Sequence, residues 1–225
     1  MRPKLRLTQT ADLARLASQP RTGKRALALG RILIEAGLAP TKGQLPRPSG
    51  TAHSDELLEL YRDLGGLLDD PAWKPGGWDL IFEGPLVVEL DEQLHFNRYR
   101  ARTLETTWTV GLPWADAYQT YCAGHEARCL RDGCGQQRWS NPSCVRNFAG
   151  GPPGDLDAGA PRWKQRAFYD AMKDTAIAAG LELSMARVSI YDTVDGELVD
   201  DILEGRAVVE PAAILQIVEQ RTAAA

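Results

Sequence analysis

The sequence predicts a mixed α/β (α+β) fold, with a mixed central sheet flanked by helices. A strand-turn-strand pattern over residues 78–91 and a strand-like run over 181–191 predict the sheet. Apolar residues at helical spacing over 162–179, followed by Gly180 as a stop signal, predict a helix between them. With 225 residues, the chain can bury a substantial core as one elaborated domain or as two smaller ones.

The N-terminal region, residues 1–52, is predicted to be helical as far as Gly37 and to end in a Pro/Gly/Ser/Thr-rich linker over 39–52. Its first 31 residues contain a single acid, Asp12, among many cations. A basic helix face can hold phosphates, which favours a segment that faces nucleic acid, and a solvated helix face is the alternative. The cations are Arg2, Lys4, Arg6, Arg15, Arg21, Lys24, Arg25 and Arg31.

The second region, residues 53–192, is predicted to begin with a helix capped by Ser54, because a serine hydroxyl can accept from the free N–H groups of the first turn. Residues 97–160 form an insertion in this region. The third region, residues 193–225, is predicted to be a helical tail, and a homodimer contact is one role for it. The residues predicted to bury the first helix of the second region are Leu57, Leu58, Leu60, Tyr61 and Leu64.

Carboxylates are concentrated on the predicted hairpin, whose strands span 78–83 and 86–91 with a turn at Gly84. This register places Asp79 opposite Glu89. Like charges held that close are destabilising unless something positive lies between them, so the pattern predicts a divalent cation with oxygen ligands. The alternative is the ordinary solvated face of an antiparallel hairpin.

The hairpin and a histidine downstream resemble the core of the PD-(D/E)XK nuclease superfamily. The resemblance is closest to the very-short-patch-repair endonuclease-like group, in which a strand reading V-E-x-D-G-x-x-H follows an aspartate-bearing strand. This sequence departs from the pattern twice, because Glu92 replaces the usual glycine and Asp91 stands where the wider superfamily has lysine. The resemblance covers about residues 55–96 and 160–192. The residues that carry it are Asp79, Val88, Glu89, Asp91 and His95.

The resemblance implies a restriction-endonuclease-like core and a metal-dependent nuclease that hydrolyses phosphodiester bonds in DNA, in restriction, repair or defence. It implies that Asp79, Glu89 and Asp91 hold Mg²⁺ or Mn²⁺. His95 is then expected to act as general base or to orient the attacking water, and Lys173 or Arg166 to replace the missing lysine. The alternative is a catalytically inactive nuclease-fold protein that binds nucleic acid or protein.

All four cysteines fall between residues 122 and 144, with a histidine among them. In a reducing compartment such a cluster favours structural Zn²⁺ over disulfides, and the very-short-patch-repair enzymes carry a Cys/His zinc site in the same part of the chain. Free buried thiols are the main alternative, and a redox or disulfide role is a third. The candidate zinc ligands are Cys122, His125, Cys129, Cys134 and Cys144, one more than a tetrahedral ion takes.

The insertion, residues 97–160, is rich in arginine and aromatic residues, which suits phosphate contact and base stacking. A surface lobe whose aromatic residues pack their own small core is the alternative. No apolar run is long enough to span a bilayer, and the N-terminus lacks the apolar core of a signal peptide, so we expect a cytoplasmic protein with no membrane partner. The residues predicted to bind nucleic acid, with DNA as the expected partner, are Arg98, Arg100, Arg102 and Arg166.

Overall fold

The computed structural model describes residues 7–17, 23–41, 45, 53–71 and 74–223. These residues form an α+β structure, about half of it helical, so the predicted mixed fold is confirmed. No helix among them is both long and apolar enough to cross a membrane. The helices are α1 Leu7–Ala17, α2 Lys24–Glu35, α3 Ser54–Asp63, α4 Arg98–Thr103, α5 Ala115–Gly133, α6 Pro142–Asn147, α7 Pro161–Ala178, α8 Val199–Leu203 and α9 Pro211–Gln220. The strands are β1 Leu80–Phe82, β2 Leu86–Asp91, β3 Ser184–Ser189, β4 Thr193–Val194, β5 Glu197–Leu198 and β6 Thr222–Ala223.

The described chain forms two compact units that alternate along the sequence. The sheet unit comprises the described residues of 1–47, 77–90 and 182–225, and the helical unit comprises those of 48–76 and 91–181. The predicted boundaries lay after residues 52 and 192. The boundaries between the two units lie instead after residues 47, 76, 90 and 181. In the sheet unit α2 packs against α8 and α9, so two regions that are far apart in the sequence share one unit.

The main sheet of the sheet unit has the strand order β1-β2-β3-β6. β1 and β2 are antiparallel, as are β3 and β6, and β2 and β3 form the parallel pair. The predicted hairpin is confirmed, because Leu80 pairs with Val88 and Phe82 pairs with Leu86, although β1 is shorter than expected. The turn contains Gly84 at φ +95°, a conformation that favours glycine.

Two of the N-terminal cations pair with acids of the C-terminal region inside the sheet unit. Arg25 Nε lies 2.9 Å from Asp200 Oδ1, and Lys24 Nζ lies 3.1 Å from Glu204 Oε2. These cations therefore already have partners within the protein. Arg2, Lys4, Arg6 and Arg21, and most of the predicted linker over 39–52, lie outside the described residues.

The helical unit packs α3 against α7. α3 begins at Ser54 with His53 in the capping position, so the predicted serine cap is wrong by one residue. α7 ends before Gly180, which has φ +81°, as the predicted stop signal requires. The buried cluster between the two helices contains four of the predicted α3 residues and three residues of α7: Leu57, Leu60, Tyr61, Leu64, Phe168, Ala171 and Met172.

Candidate functional site

Three side chains of the helical unit converge on one point: Asp91 at the end of β2, His95 in a single 3₁₀ turn, and Asp170 in α7. One ligand atom from each lies within 4.8 Å of the others. His95 Nδ1 lies 2.8 Å from Asp170 Oδ2 and 3.0 Å from Asp91 Oδ1. Within the described part of the chain, no other group of three or more His, Cys, Asp or Glu side chains has this spacing. We call it the Asp-His-Asp cluster.

Local structure brings these residues together. The backbone turns immediately after β2, where the His95 N–H donates to the Glu92 carbonyl at 2.9 Å. This turn brings His95 back toward Asp91, four residues earlier. Asp170 reaches the pair from the buried face of α7, which it shares with Asp174 one turn further along the helix.

Two further groups lie beside the carboxylates. The Tyr118 hydroxyl, on α5, donates to Asp91 Oδ2 at 2.9 Å. Arg166, one turn before Asp170 on α7, donates to a backbone carbonyl at 3.0 Å and interacts electrostatically with both acids. Burial and the neighbouring Arg162 lower the pKa of Arg166, whereas the two carboxylates act in the opposite direction. An arginine keeps its positive charge under such shifts, so Arg166 is a fixed cation next to the cluster.

The cluster combines buried negative charge with one accessible side. The side chains of Asp91 and Asp170 are 2% and 6% exposed, whereas that of His95 is 22% exposed. Two carboxylate oxygens this close to one imidazole nitrogen can be joined to it by an N–H···O hydrogen bond or by a bound cation.

The distances in the cluster fit both of these states. Separations of 2.8 and 3.0 Å are ordinary for N–H···O hydrogen bonds. They also match the spacing of neighbouring ligands around an octahedral ion, which is about 3 Å when the metal–ligand bonds are about 2.1 Å long. The two distances from His95 Nδ1 therefore suit a cation that has Asp91 Oδ1 and Asp170 Oδ2 as its other ligands.

Asp79 and Glu89, the two acids predicted to begin the metal site, lie in the sheet unit. The strand register places them opposite each other, as predicted. Glu89 Oε1 accepts from the backbone N–H of Asp79 at 3.0 Å, and Asp79 Oδ2 accepts from the backbone N–H of Leu90 at 3.1 Å. Each carboxylate thus has a backbone donor, which stabilises it without a cation. Lys173 is buried in the helical unit, three residues after Asp170 on α7.

The four arginines predicted to bind nucleic acid all have partners in the helical unit. The side chains of Arg98 and Arg102 are 47% and 53% exposed, whereas Arg100 is buried. The hydrogen bond to Glu126 is the main cause that raises the pKa of Arg98. The acidic partners are Glu126 for Arg98, Glu105 for Arg102 and Asp174 for Arg100, at 2.9, 2.7 and 2.8 Å.

The cysteines are free thiols and are not arranged around a common centre. Cys122 and Cys129 lie two turns apart on the continuous helix α5, about 10 Å along its axis. Two sulfur atoms on one zinc ion can be separated by at most about 4.6 Å, since each Zn–S bond is about 2.3 Å long. The Cys144 thiol hydrogen-bonds to Asn141 at the start of α6. This geometry favours the free-thiol alternative over the predicted zinc site.

In the native protein the four cysteine thiols are expected to differ in how fast they react with iodoacetamide. Burial raises the pKa of Cys122 to about 11 and that of Cys129 to about 12, from an ordinary value of 9.0, so both stay protonated at pH 8. Cys134 is half-buried and should be alkylated first. Mass spectrometry of native protein at pH 8 should find modification at Cys134 alone, and all four cysteines should be modified in urea.

Metal analysis supplies the control for this experiment. A zinc content near one ion per chain, with cysteine labelling that increases when a chelator is added, would contradict the free-thiol interpretation and support the predicted zinc site.

Sequence reasoning missed two residues of the site, Asp170 and Tyr118. A signal for Asp170 was present, because this acid and Asp174 interrupt the apolar stripe of α7 at positions that helical periodicity assigns to the core. A charged residue on a buried face usually has a partner, so it marks a candidate site. Tyr118 gave no comparable signal, since a tyrosine on a helix is ordinary.

Comparison with known proteins adds one finding. The sequence profile of a family described as a family of unknown function (DUF7255) matches residues 59–205, a range that contains the whole Asp-His-Asp cluster and Tyr118. No curated protein and no solved structure matches the chain.

Proposed function

We propose that this chain, which belongs to a family of unknown function (DUF7255), is a divalent-cation-dependent hydrolase of phosphodiester bonds in DNA. The observation that carries the proposal is the convergence of Asp91, His95 and Asp170, whose ligand atoms lie within 4.8 Å of one another. The spacing and the buried carboxylates suit a cation held by two oxygens and one nitrogen, with water or substrate in the remaining positions.

The ligand chemistry favours Mn²⁺ over Mg²⁺. Mg²⁺ takes oxygen ligands and keeps several of its waters, whereas imidazole nitrogen suits transition metals better. His95 Nδ1 is the atom between the carboxylates, so His95 serves as a ligand through this nitrogen. The general-base role expected from the resemblance would then require the other ring nitrogen, Nε2.

When bound, the cation polarises a phosphate oxygen and lowers the pKa of a water molecule for in-line attack. In the net reaction water adds to phosphorus, the bond from phosphorus to the leaving oxygen breaks, and the products are a phosphate monoester and a hydroxyl group. Asp91 and Asp170, whose side chains are buried, would hold the cation. Arg166 offsets part of their negative charge and donates to the backbone of the segment that carries His95.

DNA as the substrate class rests on the resemblance to PD-(D/E)XK nucleases, of whose matched residues Asp91 and His95 belong to the cluster and Asp79 and Glu89 do not. Arg98 and Arg102 each pair with an acid but are about half exposed, so they are the most accessible of the predicted arginines to a phosphate. We further place the protein in the cytoplasm, because four free thiols are typical of a reducing compartment.

The test is incubation of the purified protein with supercoiled plasmid and with single- and double-stranded oligonucleotides of DNA and RNA. Cleavage of DNA is expected with Mn²⁺, to a smaller extent with Mg²⁺, and not in EDTA. A protein that binds Mn²⁺ but cleaves none of these substrates would contradict the hydrolase proposal. If it also retained DNA in a filter-binding assay, the alternative of an inactive binding module would be supported.

A further inference from the structure

We infer that Tyr118 is a positioning residue for the Asp-His-Asp cluster, and that α5 is therefore part of the functional site. The inference rests on the proposed function, because it assigns Tyr118 the task of orienting two of the proposed cation ligands. The sequence predicted a zinc-binding or nucleic-acid-binding role for the insertion that contains α5. The role inferred for α5 is instead to orient ligands of the proposed cation.

Tyr118 is hydrogen-bonded to the carboxylate of Asp91. The tyrosine is fully buried, and its hydroxyl donates to Asp91 Oδ2 at 2.9 Å. The other oxygen, Oδ1, lies 3.0 Å from His95 Nδ1. Because one oxygen is held by the hydroxyl, the carboxylate cannot rotate freely, and Oδ1 stays directed at the centre of the cluster. Partners of this kind orient metal ligands and increase metal affinity.

The ring of Tyr118 is packed between neighbouring side chains. Phe96 follows His95 directly, and its ring centroid lies 5.1 Å from that of Tyr118 in an edge-on arrangement. The Arg100 guanidinium lies 5.8 Å from the Tyr118 ring centroid. These contacts fix the ring between α4 and the segment that carries His95, so Tyr118 holds Asp91 directly and packs against the residue that follows His95.

The variant Tyr118→Phe tests the inference, because it removes the hydroxyl and keeps the ring and its packing. We expect the Kd for Mn²⁺, measured by isothermal titration calorimetry, to rise about 10- to 100-fold. Cleavage at saturating Mn²⁺ should recover to within a few-fold of the wild-type rate, because Tyr118 acts through Asp91 and does not touch the substrate.

Tyr61→Phe is the matched control. Tyr61 is a second buried tyrosine of the helical unit, and its hydroxyl donates to the Asn147 carbonyl at 2.8 Å. This variant loses two hydrogen bonds, because the Tyr61 hydroxyl also accepts from the Leu68 N–H at 3.3 Å, but it touches no member of the cluster. Its Kd for Mn²⁺ should stay within about twofold of wild type, the scatter expected for a substitution without coupling to the site.

A metal-free measurement separates this inference from the proposed function. In the absence of cations, the imidazole ¹⁵N signals of His95 should shift in Tyr118→Phe and remain unchanged in Tyr61→Phe. Unchanged signals and an unchanged Kd in Tyr118→Phe would overturn the positioning role. Wild-type protein that binds no Mn²⁺ would instead overturn the proposed function, and the His95 signals would still decide whether Tyr118 orients the cluster.

Discussion

The variant Asp170→Asn is expected to raise the Kd for Mn²⁺ by more than about 100-fold and to abolish DNA cleavage. Loss of a residue that merely orients a metal ligand already costs about 10- to 100-fold in affinity, so loss of a direct carboxylate ligand should cost more. The amide is nearly isosteric with the carboxylate, which keeps the fold intact while the negative charge is removed. Calorimetric titration with Mn²⁺ and a plasmid assay on the same preparation measure both effects.

Asp79→Asn is the matched control for this prediction. It makes the same chemical change in an acid that sequence reasoning assigned to the metal site. Asp79 accepts from the backbone N–H of Leu90, and an asparagine oxygen can accept the same bond. We expect this variant to bind Mn²⁺ within about twofold of wild type. If Mn²⁺ binding were lost in Asp79→Asn and kept in Asp170→Asn, the metal site would lie at the acids of the hairpin and not at the Asp-His-Asp cluster.

The variant Asp174→Ala is expected to lower the free energy of unfolding by about 3–5 kcal/mol. Asp174 forms an ion pair with Arg100 at 2.8 Å, and their side chains are 0% and 1% exposed. Removal of Asp174 leaves the Arg100 charge buried without this counter-ion. The free-energy cost of that buried charge is much larger than the net stabilisation that the intact pair provides. Urea denaturation monitored by circular dichroism measures the change.

Two comparisons make the stability prediction specific. The exposed pair Arg102–Glu105 provides a control, because both side chains are 53% exposed. Glu105→Ala should change the free energy of unfolding by less than about 1 kcal/mol. Replacement of both buried partners, Arg100→Met with Asp174→Leu, should recover most of the stability lost in the single variant. A single variant Asp174→Ala as stable as Glu105→Ala would refute the assignment of a buried ion pair.

The hairpin was predictable from the sequence because its determinants are local. The alternation of apolar and acidic residues and the glycine at the turn set the register over a dozen residues, and the structure has the predicted pairing. The same holds for α7 and its stop at Gly180. In each case the signal lies within the element itself.

The functional cluster was only partly predictable, because its members meet through packing of distant segments. Asp91 and His95 were both identified, but Asp170 lies 75 residues after His95, and only the docking of α7 brings it within reach. The argument from like charges at Asp79 and Glu89 remains a prediction, and it was incomplete for a different reason. It considered only a cation as the group that stabilises the two carboxylates. Backbone N–H groups, which also stabilise a carboxylate by donating hydrogen bonds to it, were overlooked.

The concentration of cations in a segment did not reveal whether those cations are available to bind phosphates. The arginines at 98 and 102 looked available for phosphates, yet each has an acidic partner in the structure. Lys24 pairs with Glu204, which lies 180 residues away along the chain. A sequence reveals where cations are concentrated, but the partner of each one depends on tertiary packing.

The most direct test of the Asp-His-Asp cluster is anomalous diffraction from crystals of the protein soaked with Mn²⁺. A single strong anomalous peak is predicted within about 2.5 Å of Asp91 Oδ1, Asp170 Oδ2 and His95 Nδ1. A peak beside Asp79 and Glu89, or no peak under conditions that saturate binding in solution, would contradict the proposed metal site.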